Sequence, residues 1–144
     1  MHVIPATKDA IIAALGTRPA LAQLPKLYAI PTEQGDAQWG GFWFEEEVPG
    51  DSNWAQLGAQ RRRIEFRLPF VVMAATEGDD PRSTDLAAWT YFEEIEAALR
   101  AGPDFNGLIQ QFDLVATKNR VVPTGPKTWE ASITGQVVCT SRSY

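Results

Sequence analysis

The sequence predicts an α+β fold in which an antiparallel or mixed sheet of four to five strands packs with one long and one short helix. Three observations carry it. Ile64, Phe66, Leu68, Phe70 and Val72 occupy alternate positions, the period of a strand with one buried face. Residues 83–100 place apolar side chains at helical spacing, from a hydroxyl-bearing start to a stop at Gly102-Pro103. Trp129, Ala131, Ile133, Val137 and Cys139 alternate again in a final long strand.

Taken in order, Thr7 offers a hydroxyl cap, Asp9 puts negative charge in a first turn, and Ile11, Ile12 and Leu15 follow before Gly16, which predicts a short helix over residues 7–15. Pro19 and Pro25 punctuate the next stretch, and residues 27–30 read as a brief strand closed by Pro31. A second strand is expected over residues 40–46. Its Phe42, Trp43 and Phe44 project to both faces, so both sides should be covered. Pro49, Gly50, Asp51, Ser52 and Asn53 mark residues 47–58 as a loop.

The long strand over residues 61–75 sets Arg61, Arg63, Glu65 and Arg67 opposite the apolar face, and the same side continues with Pro69, Val71 and Met73. Its first half should therefore face water on one side and its second half be covered on both. Pro69 cannot donate to a ladder, which predicts an edge strand or a bulge there. After the turn Gly78-Asp79-Asp80-Pro81, Ser83 or Thr84 is the expected cap of the long helix. Leu86, Trp89, Phe92, Ile95 and Leu99 with Ala88, Tyr91 and Ala98 form a stripe wide enough to lie on a sheet. Glu96 and Arg100 stand four apart in the favourable order, worth about 0.2–0.5 kcal/mol on an exposed face. Residues 112–117 read as a strand, and Pro123-Thr124-Gly125-Pro126 as the turn before the last one.

Composition bounds the function. At 144 residues the expectation is one domain over residues 1–144, of a size that buries roughly 68–70% of the surface its unfolded chain exposes and needs no disulfide or metal. A content of 44% hydrophobic and 10% aromatic residues excludes a disordered chain. The net charge of -5 denies the chain a global positive field for a phosphate backbone. Cys139 has no partner for an intrachain disulfide or a zinc site. The opening residues lack the basic and apolar regions of a secretory signal, and residues 68–75 fall far short of the ~20 needed to span a bilayer, so the expectation is a soluble chain with no membrane partner.

Chemistry-bearing motifs are few. His2 is the sole histidine and lies in the first residues, a poor place for a nucleophile's base. Cys139 falls in the apolar register of its strand and reads as a core thiol. Gly125-Pro126-Lys127-Thr128 fails as a phosphate loop, because proline replaces the glycine before lysine and no glycine stands at the leading position. Glu45, Glu46 and Glu47, with Asp51 nearby, alternate faces and do not converge as a cation cage needs, leaving a solvated strand end or a charged protein contact. Glu93 and Glu96 sit on the polar side of an amphipathic helix. The sequence thus nominates no catalytic, metal-binding or cofactor-binding residue. Arg61, Arg62 and Arg63 are the strongest charge cluster, and three readings stay open: a solvated strand start, an interface seeking acidic groups, or a DNA contact. Trp54, an aromatic in a polar loop, either folds back on the core or anchors an interface.

The helix over 7–15, the strand around Tyr28 and Pro31, the run Arg62-Arg63-Ile64-Glu65-Phe66-Arg67-Leu68-Pro69-Phe70-Val71-Val72, the helix over 85–99 and the strand over 129–140 together resemble the small tail terminator, or tail completion, proteins of long-tailed bacteriophages and related prophage or gene-transfer particles. The likeness spans nearly the whole chain, in element order and texture and without a short invariant motif. It implies a non-enzymatic virion protein, assembled in the host cytoplasm, that forms a six-fold homo-oligomeric ring on the head-proximal end of the tail. There it would cap the tube protein, stop its polymerisation and present a surface to the head-tail connector, with DNA as a passing occupant of the channel. A ring is built from heterologous contacts. The two-sided apolar stretch from Pro69 to Met73 and the aromatics Trp39, Phe42 and Trp43 then gain a place to be covered, and the arginine cluster and the Glu45, Glu46, Glu47 run supply complementary charges. The rival expectations are a head-side connector or neck protein and, from a different class, a small enzyme or ligand-binding domain with an aromatic pocket near Trp39, Trp43 and Trp129.

Overall fold

Three strands of fifteen residues dominate the molecule, and the helices lie on only one face of the sheet they form. The computed structural model describes residues 3–29, 40–45, 63–78, 80–103, 105 and 107–142. The elements run α1 (Val3–Leu15), a 3-10 turn (Pro19–Leu21), β1 (Lys26–Leu27), β2 (Gly40–Phe44), β3 (Arg63–Glu77), α2 (Pro81–Ala101), β4 (Gln111–Gly125) and β5 (Thr128–Arg142). The fold is α+β, with a five-stranded mixed sheet in the order β1-β2-β3-β5-β4. Among the described strands only the β1-β2 pair is parallel.

Helix α1 starts four residues earlier than its sequence signals suggest. Pro5 is tolerated because it falls in the first turn, where backbone N–H groups have no intrahelical partner. Thr7 is consequently no cap but a fully buried helical residue, four positions before Ile11 and eight before Leu15, both also fully buried. Arg18 ties the segment after α1 to α2, its guanidinium donating to Glu94 at 2.7 and 3.1 Å. Strand β1 is shorter than expected and shifted to Lys26 and Leu27, where the Lys26 ammonium donates to the carbonyls of Leu21 and Leu24.

In β3 the even positions Phe66, Leu68, Phe70, Val72 and Ala74 are buried, as are Phe42 and Phe44 of β2 and Ala131, Ile133, Val137 and Cys139 of β5. These side chains share the face covered by the helices, and the ring of Phe70 stacks on Phe92 of α2 at 6.1 Å. Trp43 turns to the other face and is half-buried, so β2 is aromatic on both sides but packed against a helix on one. Pro69 occupies neither an edge nor a bulge. Strand β3 is interior, and its ladder with β5 runs through Pro69, paired with Gln136, without a shift. The missing donor is tolerated because the Pro69 carbonyl accepts the Glu45 N–H at 2.8 Å just where the β2 ladder ends. The N–H and carbonyl of a strand residue point to the same side, so the absent N–H falls beyond the last β2 pair.

Helix α2 is capped by Asp80 rather than by Ser83 or Thr84. The Asp80 carboxylate accepts from the Arg82 N–H at 3.0 Å and the Ser83 hydroxyl at 2.8 Å, and Pro81 takes the first helical position. Thr84 instead points inward, fully buried, and shares a short hydrogen bond with the hydroxyl of Thr76 on β3. Ala88, Phe92, Ile95, Ala98 and Leu99 complete the buried stripe, whereas Leu86, counted in it from sequence, is 49% exposed. Strands β4 and β5 form one long hairpin turning at Pro126 and Lys127, the latter at a φ of 63°. Proline followed by a positive φ fits a type II turn.

Candidate interaction surface

The side chains that alternate with the core make up the second face of the sheet. Register places them in rows across the strands: Trp43, Val71, Thr134 and Lys118 in one, Met73, Ser132 and Arg120 in the next, and Pro69, Gln136 and Val115 on the other side of the first. Trp43, Pro69, Val71, Met73 and Val138 are half-buried, and Val115 is 45% exposed. No described helix lies over this face. Toward one end it turns charged, where Glu65 and Arg67 pair at 3.4 Å with half-exposed side chains, a geometry worth less than about 1 kcal/mol.

Of the charged residues singled out from sequence, Glu45 follows β2 and is half-buried. Arg63 opens β3, and its Cα partner is Arg142 at the far end of β5, so the register adds a basic position that sequence alone did not associate with the cluster. Glu45 stands opposite Pro69, six residues from Arg63 along β3, or about 20 Å at the rise of an extended strand. Glu46, Glu47, Trp54, Arg61 and Arg62 lie outside the described residues.

Lys118 and Arg120 were missed, and the cause is local. The pairing of β4 with β5 shifts between Ala116 and Lys118, leaving Thr117 as an extra residue whose hydroxyl donates to the Thr134 carbonyl. Before the bulge the even residues Phe112 and Leu114 face the helices. After it the odd residues Asn119 and Val121 do, with the Asn119 amide donating to Asp85 of α2 at 3.0 Å. A break in parity ends the period-two signal near residue 117, although the strand continues to Gly125.

Burial shifts two further titratable groups. Cys139 is fully buried in the core, and burial pushes its thiol up to about 12. A nucleophilic thiolate is therefore suppressed. Burial also lowers the Lys8 ammonium, which sits 5.0 Å from the Tyr28 ring centroid and 5.4 Å from that of Phe44. An open depression of about 490 Å3 is lined by Glu77, Gly78, Pro126, Lys127 and Thr128 at the hairpin turn. Among the described residues its ionisable groups are one carboxylate and one ammonium. Among the described residues no three His, Cys, Asp or Glu side chains gather as metal ligands, and no helix is long and apolar enough to cross a membrane. Comparison with protein-family models gave no match, and comparison with curated proteins gave none.

Proposed function

We propose that this protein is a non-enzymatic structural subunit of a virus particle, a tail terminator of a long-tailed phage or of a related prophage or gene-transfer particle. It assembles as a six-fold ring on the head-proximal end of the tail tube, stops tube growth and offers the joining surface for the head-tail connector. The observation that carries the reading is the second sheet face. Trp43, Pro69, Val71 and Met73 form an apolar centre on a face without a described helix, and such a surface in a small acidic protein is suited to contact between subunits. The basic register pair of Arg63 and Arg142 and the acidic Glu45, about 20 Å apart along the sheet, supply opposite charges for a head-to-tail contact.

Particles assembled without the protein provide the test. Under this reading they accumulate tails of uncontrolled length that fail to join heads, and adding the purified protein during assembly restores one length. Tails of normal length that merely fail to join heads would assign the protein to the connector instead.

A further inference from the structure

We propose that the free edge of β4, over residues 118–122, takes up an extended acidic segment of a partner protein as a sixth strand. Among the described residues, strand β4 ends the sheet and pairs with β5 alone. A fifteen-residue edge offers a row of backbone donors and acceptors that folded proteins usually shorten, cover or charge. Residues 115–120 are all exposed, six in a row, so side chains on both sides of this stretch reach solvent, and Val121 and Val122 beyond them are half-buried.

The edge is divided by register shifts, after Ala116 and after Pro123, leaving a regular stretch in which residues 118–123 pair one for one with 134–129. Within it Lys118 and Arg120 are partners of Thr134 and Ser132 and share a face. Their Cα atoms stand two residues apart, about 7 Å. That is the spacing of alternate side chains on an added strand, so two carboxylates at alternate positions would meet the two cations. Among the described residues neither Lys118 nor Arg120 enters an ion pair. Asn119, between them, is occupied on the opposite face by Asp85 and the Ser132 carbonyl.

The same charges select against the simplest alternative. A second copy of β4 laid antiparallel on this edge would bring cations against cations, and like charges directly opposite are unfavourable. An acidic strand from a different protein satisfies both the ladder and the charges. The inference rests on the β4 edge alone and holds whether or not the chain caps a tail tube.

The probe is a fluorescein-labelled seven-residue peptide, Thr-Glu-Val-Glu-Val-Glu-Thr, titrated with the full chain and read by anisotropy, with amide exchange followed on isotope-labelled protein. Saturable binding and slowed exchange over residues 118–122 are expected. The double variant Lys118→Glu/Arg120→Glu should bind about tenfold more weakly, as two attractive cross-strand pairs become repulsive. Lys118→Gln/Arg120→Gln should fall between, and a peptide with lysine in place of glutamate should prefer the charge-reversed variant. Backbone N-methylation of the peptide should abolish binding. Equal affinity of wild type and both variants, retention of the N-methylated peptide, or concentration-dependent protection of the same amides without peptide would each overturn the proposal. Thermal melts of the variants, whose changed residues are exposed, separate a lost contact from a lost fold.

Discussion

Replacing Gly135 with alanine tests how the sheet is closed against α2. Gly135 is the Cα partner of Phe70 on one side and of Ala116 on the other. A Cβ placed there would lie 2.8 Å from Cζ and 3.1 Å from Cε1 of Phe70, and 3.0 Å from the Val115 carbonyl oxygen. Carbon atoms in contact prefer about 3.5–4.0 Å, so the ring must retreat by roughly 0.7 Å. It has little room, with Phe42 at 5.2 Å and Phe92 at 6.1 Å between ring centroids, and the carbonyl belongs to the β4 backbone. Overpacking of this kind costs about 1–3 kcal/mol, and alanine returns about 0.5–1 kcal/mol by being less flexible than glycine in the unfolded chain. The expected net loss is about 1–2 kcal/mol, a fall in melting temperature of about 2–8 °C for a chain of this size. Circular dichroism melts check it. In a Phe70→Leu background, where the ring is gone, Gly135→Ala should be neutral or stabilising. An unchanged melting temperature in the wild-type background, or the same loss in both backgrounds, would refute the close approach of Phe70 to Gly135.

Other consequences follow from the buried and capping groups. Thr76→Val strands the Thr84 hydroxyl in the core and should cost about 1–3 kcal/mol in urea unfolding, while Thr76→Val/Thr84→Val should recover part of that loss. Cys139, with its thiol pushed up to about 12, has about one molecule in ten thousand ionised at pH 8, so it should resist a thiol reagent until guanidinium unfolds the chain. The Ser83 hydroxyl and the Arg82 N–H hold the Asp80 carboxyl below its usual value. Its contribution is therefore present above about pH 3.9, the unfolded value, and lost as pH falls through the lower folded one. The stability difference between wild type and Asp80→Ala should accordingly shrink between pH 5 and pH 2, as read by urea melts.

Much of the fold was legible because its periods are long and unbroken. β3 keeps strict alternation from Phe66 to Ala74, and β5 from Ala131 to Cys139, where even Gly135 holds its inward place. The errors cluster where a local signal had two owners. Thr7 and Thr84 look like caps from their hydroxyls, yet both are buried inside helices, and the cap of α2 is the more exposed Asp80. Pro69 implied an edge or a bulge because sequence does not reveal that the neighbouring strand stops beside it. The candidate surface was less legible than the core. Trp43, Val71 and Met73 were visible as a second apolar face, but the bulge at Thr117 hid Lys118 and Arg120 by reversing the parity of β4. Arg142 joins Arg63 only through a strand register some eighty residues long in sequence separation.

Under the proposed function the second sheet face becomes buried in a ring at the end of a tail tube. Purified protein mixed with tail tubes and imaged by negative-stain electron microscopy tests it most directly, with Val71→Glu as the comparison because it places a charge at the apolar centre of that face. A six-fold ring on one end of each tube is expected with the wild type, and bare ends with the folded variant. Bare tube ends with the wild type, or equal capping by Val71→Glu, would contradict it.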